Sequence, residues 1–241
     1  MTQIMMKPMI KLITLTLSLM LYVFANAQTE EGTTIVTQDL ETWTKLGLKF
    51  KAHEKVSIGL DQGFRFNKNS SILDQMFTEV NFKLKATKYL KYGIGLRYIS
   101  DRGGNDLFDN DFRLNLDAIF KHKASDFTFQ YRLRYQNRNE IGLSIEDGDY
   151  FKNYLRLKAG VKYNIKDWKF DPKFSTEIFR DMTKVTGGFD KLRFTLGTSY
   201  SLKKFGELGA YYRLERELGA SYPKTTNIVG LNYVYTFKKR K

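Results

Sequence analysis

The side chains with chemistry in this sequence are mostly charged, and they fall at every second position of extended segments. Asp61, Glu79, Asp117, Asp171, Glu177, Glu207 and Glu215 share one phase of that alternation with Arg65, Lys83, Lys85, Arg97, Arg113, Arg132, Arg134, Arg156, Lys158, Lys162, Arg193 and Arg213. A period of two belongs to a β-strand, where successive side chains point to opposite faces. Acids and bases on one face of many strands would meet in a common interior. There they could poise a carboxylate for proton transfer, draw anions through surplus cations, or neutralise one another. Mutual pairing is the expected outcome, because an unpaired ion in a narrow interior gives up part of its hydration. The residues expected to line this interior are Arg65, Glu79, Arg97, Arg113, Arg132, Arg134, Arg156, Lys158, Glu177, Arg193 and Arg213.

Other chemistry is scarce. The two histidines, His53 and His122, are both expected in tight turns. Ser125 lies near His122, but the sequence offers no third group to orient the pair. A lipid-modifying enzyme is therefore a distant alternative, and no catalytic residue is assigned. The absence of cysteine excludes a thiol nucleophile, a thiolate metal site and an iron–sulfur cluster. No metal-ligand spacing or phosphate loop occurs, and Gly93-Ile94-Gly95 lacks the third glycine of a dinucleotide fingerprint. No metal or cofactor is expected.

The elements that must position these residues are legible in Phe127–Arg138, FTFQYRLRYQNR. Phe127, Phe129, Tyr131, Leu133 and Tyr135 share one face of a strand, and Thr128, Gln130, Arg132, Arg134 and Gln136 share the other. One face wants lipid and the other wants water. The same alternation recurs through Leu46–Phe50, Val56–Phe66, Val80–Ala86, Tyr92–Tyr98, Phe112–Phe120, Leu155–Tyr163, Trp168–Ile178, Leu192–Leu202, Gly206–Glu215 and Val229–Phe237, which gives eleven strands in all. Strands of a soluble sandwich usually run five or six residues, whereas roughly 9–11 are needed to cross a bilayer at a tilt. Many of these runs reach that length, and their polar phase is rich in glycine, arginine and lysine as a wet lumen would be. The expected fold is all-β: a transmembrane, antiparallel, up-and-down β-barrel.

The N-terminus predicts export. Lys7 and Lys11 precede the apolar run LITLTLSLMLYVFA, and Ala25-Asn26-Ala27 offers a signal peptidase site before Gln28. Residues 1–27 are thus read as a cleaved signal and 28–241 as a single barrel domain. Its removal takes two lysines and no acid from a chain of formal net charge +14, so the mature chain stays basic. Tight links around His53, Lys88, Lys123, Lys166 and Lys204 alternate with longer ones near 67–74, 101–111, 137–149, 181–190 and 215–224. Barrels of the outer membrane keep tight turns in the periplasm, which predicts a periplasmic C-terminus and acidic outer loops. A chain that begins in the periplasm then needs one more ascending strand. Glu30–Gln38 is its candidate and would make twelve; ten or eleven strands with a non-strand N-terminal segment is the alternative.

The succession ETWTKLGLKFK, DQMFTEVNFKLK, YLKYGIGLRYI, RLRYQNR, NYLRLKAGVKYN, DPKFSTEIF, LRFTLGTSYSL and AYYRLERE resembles the domain of unknown function 2490 family, DUF2490. The resemblance covers almost the whole mature chain, and the family occurs in exported proteins of Bacteroidota. It implies an outer-membrane β-barrel with no established activity and carries no catalytic residues over. The chain departs from the usual barrel ending, because Phe237 is followed by four basic residues. The function expected is a structural or surface-interaction barrel with a basic, largely salt-bridged lumen, with a narrow anion-preferring channel as the alternative. The partners expected are outer-membrane lipid, and small anionic solutes or surface partners of the acidic loops. Nucleic acid is not expected, and the barrel should be a monomer.

Overall fold

A computed structural model of the chain describes residues 37–103, 107–142, 152–184 and 188–238. The expected signal segment 1–27, most of the candidate strand Glu30–Gln38, the tips of three longer loops and the last three basic residues lie outside the described residues. The eleven strands are β1 (Thr37–Lys51), β2 (Val56–Asn67), β3 (Ile72–Lys85), β4 (Leu90–Arg102), β5 (Phe108–Ala124), β6 (Phe127–Glu140), β7 (Lys152–Tyr163), β8 (Lys173–Asp181), β9 (Lys191–Ser201), β10 (Glu207–Glu217) and β11 (Lys224–Lys238). They follow one another around a closed barrel. Among the described residues no helix is long and apolar enough to cross a membrane.

Consecutive strands pair antiparallel, as expected, but the closure does not. β1 lies parallel to β11 over its whole length, from Thr37 opposite Lys224 to Lys51 opposite Lys238. An odd number of up-and-down strands forces this, since the first and last then run in the same direction. The count is eleven and not twelve: Thr37 and Gln38 open β1, and the parallel register leaves no row free between β1 and β11. Charge holds one end of the seam. Lys224 of β11 lies 3.5 Å from Asp39 and 3.8 Å from Glu41 of β1. Asp39 also accepts from the Lys68 and Asn69 amides, at 3.3 and 3.0 Å, in a turn where Lys68, Asn69 and Ser70 all have positive φ.

The alternation sorts side chains as the sequence predicts, and the result is inside-out. Leu46, Leu60, Ile94, Leu116, Leu133, Leu157, Leu196 and Leu231 are exposed on the outer face. By contrast only five apolar side chains are buried among the described residues, Phe77, Ile99, Phe179, Pro223 and Ile228, against twelve polar or charged ones. Dispersion and water release inside a conventional core cannot be what holds this fold. Ladder hydrogen bonds around a closed ring, which has no free edge, and ion pairs in the lumen replace it.

Three local expectations are corrected. Turn lengths do not alternate strictly: residues 68–71 make a link as short as 52–55, and 164–172 is as long as the supposed outer loops. The pattern beginning at Trp168 becomes a strand only at Lys173, because Asp171-Pro172 interrupts the ladder and leaves a single bridge from Phe170 to Tyr200. His122 is within β5, opposite Phe129, and not in a turn.

Candidate functional site

The site is the lumen. One cavity of about 940 Å³ is lined by all eleven strands, and it reaches from Glu207 at one end of β10 to Glu217 and residues 218–220 at the other. All eleven residues that the sequence predicts in the interior line it. Alternation puts them there: each sits on the polar phase of its strand, and closure turns that phase inward.

Three carboxylates organise the bases. Glu79 of β3 accepts from Arg97 of β4 and lies 3.7 Å from Arg113 of β5. Arg97 and Arg113 are directly opposite in the β4–β5 ladder, a repulsive placement that Glu79 relieves. Asp117 of β5 accepts two bonds from Arg134 of β6, at 2.6 and 2.7 Å, in the forked geometry that only arginine supplies. Glu177 of β8 is the most heavily used: Arg132 reaches it at 2.6 Å, Arg156 at 2.9 Å and Arg193 at 3.3 Å. Arg193 is shared onward with Glu215 at 2.6 Å, and Arg156 also donates to Gln136 at 2.9 Å.

Supply and demand do not match. The cavity lining holds fourteen lysines and arginines against six aspartates and glutamates, and Asp117 and Glu215, which pair with lining arginines from just behind it, bring the acids to eight. Arg65, Lys158 and Arg213 have no carboxylate within 4.0 Å among the described residues. Aromatic rings orient two of these three and two of the paired bases. Arg65 lies 3.8 Å from the Trp43 centroid and Arg213 4.8 Å, while Arg97 lies 3.6 Å from the Phe77 centroid and Arg156 4.3 Å from that of Phe179.

These inward rings are what the sequence reading missed. Trp43, Phe77, Phe179 and Tyr211 sit on the polar phase, so a hydropathy rule does not assign them to the lumen. A signal was present in their partners. Phe77 is opposite Gly63, and Tyr211 is opposite Gly230. A Cβ on Gly230 would meet the Tyr211 ring at 2.0 Å, and one on Gly63 would meet Phe77 at 2.2 Å. Glycine on a lumen phase beside an aromatic marks a ring lying flat across the neighbouring strand.

The remaining candidates do not join this site. His53 is in the β1–β2 turn, and Lys55 donates its amide to the ring at 3.3 Å. The His122 ring stacks on Phe129 at 5.1 Å, within an outward cluster of Phe120, Tyr131, Phe127 and Tyr163. Ser125 is in the adjoining turn. Among the described residues no group of three histidine, aspartate or glutamate side chains could hold a metal.

Two solved structures are similar to the chain in fold. One is described as the NanC porin, 11% identical, with a TM-score of 0.46 over 74% of this chain and 87% of that one. The other is the translocator domain of the autotransporter NalP from Neisseria meningitidis, 18% identical, with a TM-score of 0.36 over 72% of this chain and 71% of that one. No curated protein matches. The profile described as "Protein of unknown function (DUF2490)" matches residues 40–222, and the chain belongs to that family.

Proposed function

We propose that this protein is an outer-membrane β-barrel that acts as a narrow, anion-preferring channel. The observation that carries the reading is the cavity that extends between the two ends of β10, where fourteen basic side chains face eight acidic ones once Asp117 and Glu215 are counted with the wall. Surplus fixed cations raise the local concentration of anions and repel cations, which is how charged rings select in pores. The membrane assignment is supported by the exposed apolar belt and by the aromatic cluster at the tight-turn end, where ring side chains suit an interface. Spread over an apolar band roughly 25 Å tall, this volume leaves room for a small hydrated solute and little more.

A second reading has its own observation. Three arginines on Glu177 cross-brace the lumen, and a barrel braced this way could be closed and serve only to present its loops to surface partners. Single-channel recording of the refolded chain in a planar bilayer under a salt gradient separates the two. The channel reading expects discrete steps with a reversal potential on the anion side. Silence from folded protein overturns it in favour of the braced, structural barrel.

A further inference from the structure

Three guanidinium groups converge on one indole. The carbons of Arg65, Arg213 and Arg193 lie 3.8, 4.8 and 5.8 Å from the Trp43 centroid. Arg193 is neutralised by Glu177 and Glu215. Arg65 and Arg213 are not, and the nearby acids are already engaged: Glu41 accepts from the Trp43 indole at 2.6 Å and Glu215 is held by Arg193 and Lys191. The Arg65 Nε is buried without a hydrogen-bond partner. Arg213 donates from Nε to the Thr195 hydroxyl at 3.2 Å and stands 4.6 Å from the Tyr211 ring.

What holds these two cations differs from what holds the others. A carboxylate orients a guanidinium and cancels its charge, whereas an aromatic face orients it and leaves most of the charge in place. The wall is built for this arrangement, since glycine at 230 leaves the space in which the Tyr211 ring lies and supports Arg213. Both guanidiniums line the cavity, and since they are measured from one centroid they stand no more than 8.6 Å apart.

We propose that Arg65 and Arg213, held on the rings of Trp43 and Tyr211, form an oxyanion-binding site in the lumen that takes a small phosphate or carboxylate. The site rests on the lumen being wet and deepens the channel reading by giving the solute its charge-bearing group. Binding is read by fluorescence and passage by conductance, so a site without conduction and conduction without a site are distinct results.

The chain has two tryptophans, and Trp168 is exposed outside the lumen in the 164–172 link. W168F therefore leaves Trp43 as the one indole reporter. Inorganic phosphate titrated into this folded variant in detergent, at constant ionic strength against sodium chloride, is expected to give a saturable change in Trp43 emission that chloride does not reproduce. R213Q should raise the half-saturation concentration by about tenfold or more, the loss of one charge-assisted contact, and R65Q/R213Q should abolish the response. Equal responses to phosphate and chloride, or a saturable response that survives in the double variant, overturn the proposal. Where the double variant does not fold, R213Q alone decides, and an unshifted half-saturation overturns it.

Discussion

Arg132 of β6 donates to Glu177 of β8 at 2.6 Å, reaching across β7, which lies between them in the barrel wall. Arg156 of β7 and Arg193 of β9 meet the same carboxylate, so one buried anion ties four neighbouring strands. Removing it leaves Arg132, Arg156 and Lys158 crowded without a counter-ion, while Arg193 keeps Glu215. Glu177→Gln is expected to cost about 3–5 kcal/mol, the usual result of deleting one member of a buried ion cluster. Reversible urea unfolding in lipid vesicles measures it. Arg132→Gln should cost clearly less, because Glu177 keeps Arg156 and Arg193; equal losses would mean that the three arginines do not share one anion.

Gly230 and Tyr211 make a second coupled pair. A methyl group on Gly230 would stand 2.0 Å from the ring, and the neighbouring backbone is locked in the ladder. Gly230→Ala should therefore destabilise the barrel by about 1–3 kcal/mol through overpacking. In a Tyr211→Ala background the same change should be nearly neutral, since the obstructing ring is gone. A full double-mutant cycle reads the coupling, and additive losses would show that the ring does not occupy the place assigned to it.

The outer and inner phases were legible in the sequence for a simple reason: strand alternation is local, so Arg132, Leu133 and Arg134 sort themselves without knowledge of their partners. Partnership is not local. That Arg132 would find Glu177 follows only once β7 separates their strands by a single row, and that β1 would pair parallel with β11 depends on closure of the whole ring. The inward rings were hidden because Trp43 and Phe77 look like lipid-facing residues by type. Their place is set by glycine opposite and arginine above, a combination that polarity alone does not score. His122 shows the converse. Its type reads as a polar turn residue, yet its flat ring packs among aromatics near the end of β5.

Leu133 tests the outer belt. It lies near the middle of β6, 45% exposed, between Tyr131 and Tyr135 on the outward phase. Leu133→Arg should cost about 2–4 kcal/mol in a bilayer, the price of an arginine at the midplane of a barrel's lipid face. Unfolding in vesicles reads the loss. A negligible effect in vesicles would place Leu133 away from hydrocarbon and remove the main physical support for the membrane assignment.

Labelling reads the orientation directly, and the sequence makes this simple because the chain has no cysteine of its own. Ser221 lies in the link between β10 and β11, and Lys88 in the link between β3 and β4 at the opposite end of the barrel. Both are exposed. The tight links at 52–55, 86–89 and 125–126 belong on the periplasmic side if assembly follows the common pattern of outer-membrane barrels. An impermeant maleimide applied to intact cells is then expected to label Ser221→Cys and to spare Lys88→Cys until the outer membrane is permeabilised. The reverse pattern would turn the barrel over, so that the mouth bounded by residues 218–220 and the Trp43 cluster nearer to it would open to the periplasm.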